Sequence, residues 1–191
     1  MKKEMVALAA VAVFLTGCIV TSVHPYYTAK DVSYDPGLIG QWTNGQEAGQ
    51  HWSFEKQADK SYQLTYFSGS DKDKTNVARA LLFNLNGSRF LDCVAHDQEC
   101  DVMPPPIPSH FLLRVYQVEP TLRLAALNHD WLRTALDKEP KLIRHEMIGE
   151  KDDRRVVLTA ETAELQDFLL KHLDAEEAWQ EPFDLKRQAT P

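Results

Sequence analysis

The dipeptide Asn86-Gly87 stands between two runs, 77–85 and 89–94, that carry apolar side chains on both faces. Asn-Gly accepts the positive φ angles of a type I′ turn, which joins two twisted antiparallel strands through only two residues. In the first run Leu81, Phe83 and Leu85 alternate with Ala80 and Leu82. A strand apolar on both sides cannot turn one face to water, so this hairpin is expected to lie centrally in its sheet.

Shorter alternating runs on either side extend the pattern. Trp52 and Phe54 share one face, and so do Tyr62, Leu64 and Tyr66 beyond the polar turn 57–60. The segment 103–108 contains four prolines, cannot donate ladder hydrogen bonds there, and reads as a loop. Runs 111–119 and 121–127 form a second hairpin about Glu119-Pro120. Asn128 is placed to cap a short helix through Asp137, with Trp131, Leu132, Ala135 and Leu136 on one face and Pro140 after it. Runs 142–148 and 155–159 read as the last two strands. A final helix over 161–173 puts Leu165, Phe168, Leu169 and Leu173 on one stripe to pack on the sheet. The fold class expected is mainly β (α+β): an antiparallel meander of about 8–9 strands, barrel-like or strongly curved, with one inserted helix and a C-terminal helix.

The N-terminus carries a different signal. Lys2 and Lys3 precede an apolar stretch, 5–15, with the length of a signal-peptide core and short of the roughly 20 residues that span a bilayer. At its end, Leu15-Thr16-Gly17-Cys18 resembles a bacterial lipobox. That resemblance implies removal of residues 1–17, diacylglycerol on the Cys18 thiol and an acyl group on its new amine, with no other cofactor. It places the protein on the membrane of the cell envelope. Ile19, in place of Asp, resembles the outer-membrane sorting pattern of enteric lipoproteins, with the domain facing the periplasm. The expected organisation is a signal peptide at 1–17, a lipidated tether at 18–35, a single antiparallel β domain at 36–185 and a flexible tail at 186–191. Val23, Tyr26, Tyr27 and Tyr34 are more apolar than a free tether needs, so part of it is expected to lie on the domain.

The chain has 21 Lys and Arg against 28 Asp and Glu, a formal charge of −7, and losing Lys2, Lys3 and Glu4 makes it one unit more negative. That balance argues against a nucleic-acid partner. With Cys18 assigned to lipid, Cys93 and Cys100 remain, in a compartment where disulfides persist. Their pairing is expected, closing a small loop that stabilises by roughly 2–3 kcal/mol on the chain-entropy model. Free thiols are one alternative. The other is a metal held by Cys93, His96 and Cys100, with Asp97 and Glu99 nearby.

No catalytic arrangement is legible: there is no Gly-x-Ser-x-Gly elbow, phosphate loop or dinucleotide turn, and the seven histidines show no paired ligand spacing. His145 shares a face with Ile143 and Met147 and reads as a satisfied structural residue. Asp152-Asp153 beside Arg154-Arg155 reads as a solvated turn. The acidic stretch 174–177 reads as surface, with Trp179 and Phe183 turned back onto the core.

Gly40-Gln41-Trp42 opens the strand array and a helix follows its last predicted strand, an order that resembles the lipocalin and calycin families. The resemblance rests on Gly40 and Trp42 and implies a barrel that binds a small apolar ligand. Those families also place an Arg near the end of the final strand, over the Trp; none stands at the end of 155–159.

Two functions follow as expectations. The first is a non-catalytic, lipid-anchored envelope protein that contacts another protein. The second is a lipocalin-like binder of a small apolar ligand or lipid. Trp42, Trp52, Phe54, Tyr62, Tyr66, Phe83 and Phe90 are expected to fill the barrel at roughly 150–250 Å² of buried area each, which favours the first.

Overall fold

The computed structural model describes residues 19–45, 51–67, 75–95, 107–150 and 154–188. In chain order these form β1 (Thr21–Ser22), β2 (Gly40–Thr43), β3 (His51–Lys56), β4 (Tyr62–Phe67), β5 (Thr75–Leu85), β6 (Ser88–Ala95), β7 (His110–Gln117), β8 (Thr121–Ala126), α1 (His129–Lys138), β9 (His145–Ile148), β10 (Arg155–Leu158), α2 (Thr162–Lys171) and β11 (Phe183–Arg187). Strands β2 to β8 follow one another as a meander. β11 then enters between β2 and β8, and pairing of β6 with β7 closes an eight-stranded antiparallel barrel. β1, β10 and β9 extend from the start of β7 as a small side sheet.

The Asn86-Gly87 hairpin forms as expected. Asn86 and Gly87 take φ of 50° and 83°, and Leu85 pairs with Ser88 across the turn. Its two-faced strands are explained by two separate cores. Inside the barrel, Ala78, Ala80 and Leu82 of β5 and Leu91 and Cys93 of β6 meet Trp42, Phe54, Tyr62, Leu113 and Leu124. Outside it, Phe83, Leu85 and Phe90 pack with Leu112, Leu132, Val156, Leu158, Leu165 and Phe168 under both helices and the side sheet. Phe83 and Phe90 therefore do not fill the barrel; they stack on each other, 5.4 Å between ring centroids, in the outer core. The helices form where expected. Asn128 caps α1 by accepting from the Asp130 and Trp131 amides, and α2 buries Leu165, Phe168 and Leu169.

Two expectations are corrected, and a third falls partly outside the described residues. The strand after β10 exists: Phe183 and Leu185 alternate with Asp184 and Lys186, and β11 pairs with β8 on one side and β2 on the other. The tail expected at 186–191 thus gives up Lys186 and Arg187 to the barrel, because two inward apolar residues and a free edge on each neighbour suffice to seat a short strand. The tether expected at 18–35 is held from Ile19 onward. Tyr26 is fully buried, Ser33 donates to Leu82 O at 2.9 Å, Asn84 donates to Asp31 O at 2.9 Å, and Thr162 and Gln166 of α2 bond the carbonyls of Pro25 and Tyr26. The segment covers the outer face of β5 and β6, which would otherwise face water. Finally, Cys93 is a free thiol buried among the barrel's interior side chains. Its expected disulfide partner, Cys100, lies outside the described residues, as do 103–106 of the proline-rich loop.

Candidate functional site

One end of the barrel is closed by its own side chains. Asp35 Oδ1 accepts from the Gly37 amide at 2.9 Å and starts a 3-10 turn, Pro36–Leu38, that leads into β2. Trp42 Nε1 donates back to Leu38 O at 2.9 Å. From β11, the Arg187 guanidinium lies 4.3 Å from the centre of the Trp42 ring and donates to the carbonyls of Ile39 and Gly37. Gly40 permits this approach. Its φ is +126°, and a Cβ there would stand 2.7 Å from Arg187 Nη1. So an Arg does lie over the Trp, on a strand that the sequence pattern did not reveal.

Beside this closed end, the outer wall carries a groove. β7 has a bulge, with Val115 opposite Leu124 and Gln117 opposite Arg123, which leaves Tyr116 without a cross-strand partner and turns it outward at 41% exposure. Two clefts meet at Tyr116 and Gln117. One, about 760 Å³, runs past Arg114, Arg123, Glu176, Trp179 and Glu181. The other, about 770 Å³, runs past Asp35, Arg89, Glu119 and Arg187. Arg114 is held between rings, 4.6 Å from the centre of Tyr116 and 5.2 Å from that of Trp179, while Nη1 donates to Leu173 O at 2.6 Å. The other three arginines sit beside Asp184, Asp35 and Glu119. The groove joins an exposed aromatic, a pinned arginine and a rim of paired charges. That composition suits contact with another protein, whose hot spots favour Tyr, Trp and Arg.

A second arrangement lies on the barrel's outer face near the start of β7. Asp92 is 3% exposed, and its Oδ1 lies 2.7 Å from His110 Nδ1 while Oδ2 accepts the Tyr26 amide at 2.8 Å. A carboxylate holding one imidazole nitrogen is the orienting half of a general-base pair. Ser22 sits beside His110 in register, but it is 1% exposed and its hydroxyl accepts from the His24 amide. The trio offers no exposed nucleophile, and Asp92 works here as a latch for the N-terminal segment. His145 does not join it. Its Nδ1 lies 2.9 Å from Ile143 O, the satisfied structural role expected for it.

Of the other predicted site residues, Leu15, Thr16, Gly17 and Cys18 lie outside the described residues. Gly40 and Trp42 are brought together with Arg187. Arg114 and Tyr116 were not singled out from the sequence. Their alternation with Leu113 and Val115 marks them as outward-facing, but the bulge that exposes Tyr116 leaves no trace in residue types. Comparison of the chain with family models, curated proteins and solved structures finds no match.

Proposed function

We propose that the chain is an envelope protein, anchored by lipid on Cys18 at the outer membrane, that works by holding another protein against the groove around Tyr116. The observation that carries this reading is the division of apolar surface. The barrel interior is occupied by the chain's own Trp42, Trp52, Phe54, Tyr62 and Tyr66, each less than a tenth exposed, whereas the groove offers Tyr116 and Arg114 at the surface. Photo-crosslinking in intact cells tests it. A benzophenone side chain at Tyr116 should give a discrete crosslinked species that the same group at Glu55, on the opposite wall, does not. Absence of any adduct specific to Tyr116 would sink the reading.

A second reading, a binder of a small apolar ligand, is favoured by the Arg187–Trp42 closure, which is the arrangement the lipocalin and calycin resemblance implies. The turns at the closed end are short, and half-buried Phe111 and Phe183 lie toward the other end with Trp52, where β3, β5 and β7 begin. Saturable one-to-one quenching of Trp fluorescence by a fatty acid, abolished by a bulky residue at Ala126, would put this reading first.

A further inference from the structure

The fold begins almost at the anchor. Val20 is 3% exposed, Thr21 and Ser22 pair with Val157 and Leu158 on one side and Phe111 and His110 on the other, and Val23 donates to Leu158 O at 3.0 Å. The two peptide units between Cys18 and Val20 span at most about 7 Å. The headgroup layer on each side of a bilayer's hydrocarbon is itself roughly 5–7 Å thick. An acyl chain on Cys18 can enter the hydrocarbon only if the protein surface around Ile19 lies in or against the headgroups.

The register identifies that surface. Continued back by two residues, the parallel pairing of β1 with β10 sets Ile19 level with Arg155, and Arg155 pairs with Ile148 on the edge strand β9. Ile148 is 50% exposed and stands two strand spacings, about 10 Å, from Ile19. Arg155 is exposed and has no ion pair among the described residues. An exposed isoleucine beside an exposed arginine matches the apolar boundary and phosphate layer of a bilayer. The chain's net negative charge suits a zwitterionic surface better than an anionic one.

Resting on the lipid-anchor reading above, we propose that the outer edge of the β1–β10–β9 sheet is a membrane-contacting surface, with Ile148 in the headgroup layer and Arg155 against lipid phosphate. The domain does not hang on a tether; it is seated flush, with the small sheet down.

Site-directed spin labelling of the full lipidated chain tests this. In a Cys100→Ser background, nitroxides at Ile148→Cys and, across the barrel, Glu55→Cys are compared in phosphatidylcholine vesicles after intact mass shows lipid on Cys18. The expected result is a several-fold loss of collision with a water-soluble nickel chelate at 148 on vesicles, relative to the unlipidated Cys18→Ser protein, and no loss at 55. Equal exposure of the two labels on lipidated protein would overturn the seated orientation and leave the anchor standing. A mass without lipid would remove both.

Discussion

The guanidinium of Arg187 lies 4.3 Å above the ring of Trp42, tying the last strand of the barrel to the first. Arg187→Ala removes this contact and the bonds to the Gly37 and Ile39 carbonyls. It should lower stability by about 1–2 kcal/mol, with little from the Glu119 ion pair at this exposure. Gly40→Ala should cost about 1–3 kcal/mol through its left-handed backbone. Because its Cβ meets Arg187, the double variant should cost less than the sum, as read from urea midpoints.

The Tyr26 phenol is fully buried, and its hydroxyl has no hydrogen-bond partner among the described residues. Burial, with the Asp92 charge adding to it, holds its pKa far above the usual value, and burial pushes Tyr62 up to about 12. In the unfolded chain both ionise near pH 10. The folded state therefore binds more protons above pH 10, and stability falls as pH rises beyond it. Tyr26→Phe should leave stability at pH 7 unchanged or raise it by up to about 1 kcal/mol, since no bond is lost. It should also flatten the decline above pH 10. A loss at pH 7 would mean that the hydroxyl has a partner.

Asp92→Ala leaves the Tyr26 amide and His110 Nδ1 without their acceptor. A cost of about 2–4 kcal/mol is expected. The damage should be concentrated in the N-terminal segment, so trypsin should cut at exposed Lys30 well before the barrel opens. Cleavage spread evenly over the chain would contradict the latch.

Burial works to raise the Asp31 carboxyl, but hydrogen bonds from Thr28 and Gln166 outweigh it and keep the group below the usual carboxylate range. Its contribution is then complete above the unfolded value near pH 3.9 and is lost as pH falls through the lowered one. Amide exchange at Ser33 and Asn84, which bond across the same segment, should accelerate below about pH 4 and do so at higher pH in Gln166→Ala.

Burial first, then the Asp92 charge, pushes the Cys93 thiol well above its usual pKa. Native protein should resist iodoacetamide at Cys93 and react only after unfolding, as mass spectrometry would read. A thiol that stays unlabelled in guanidinium without reductant would reveal the bond to Cys100 and contradict the free thiol.

The parts of the fold legible in the sequence are those whose residues carry their own geometry. Asn86-Gly87 specifies its turn, Asn128 its helix start, and the stripe from Leu165 to Leu169 its buried face. β11 was illegible because Phe183 and Leu185 are only two inward positions, set between acidic and basic neighbours. The N-terminal segment was legible only in part: its tyrosines marked it as too apolar for a free tether, but the backbone bonds to Leu82 and Asn84 and the partners on the second helix that hold it from Ile19 onward leave no side-chain period. Phe83 and Phe90 show a subtler limit. Alternation separates their face from that of Leu82 and Leu91, but which face looks into the barrel depends on closure by β11 and on cover from helices further along the chain.

That cover bears on the order of assembly. Tyr26 waits for Asp92, 66 residues later, and its carbonyl waits for Gln166, 140 residues later. A chain synthesised from its N-terminus presents 19–34 long before either partner has emerged. The segment that begins at Ile19 is thus among the first to be made and the last to be seated, and its contacts close only when the barrel and the second helix behind it are complete.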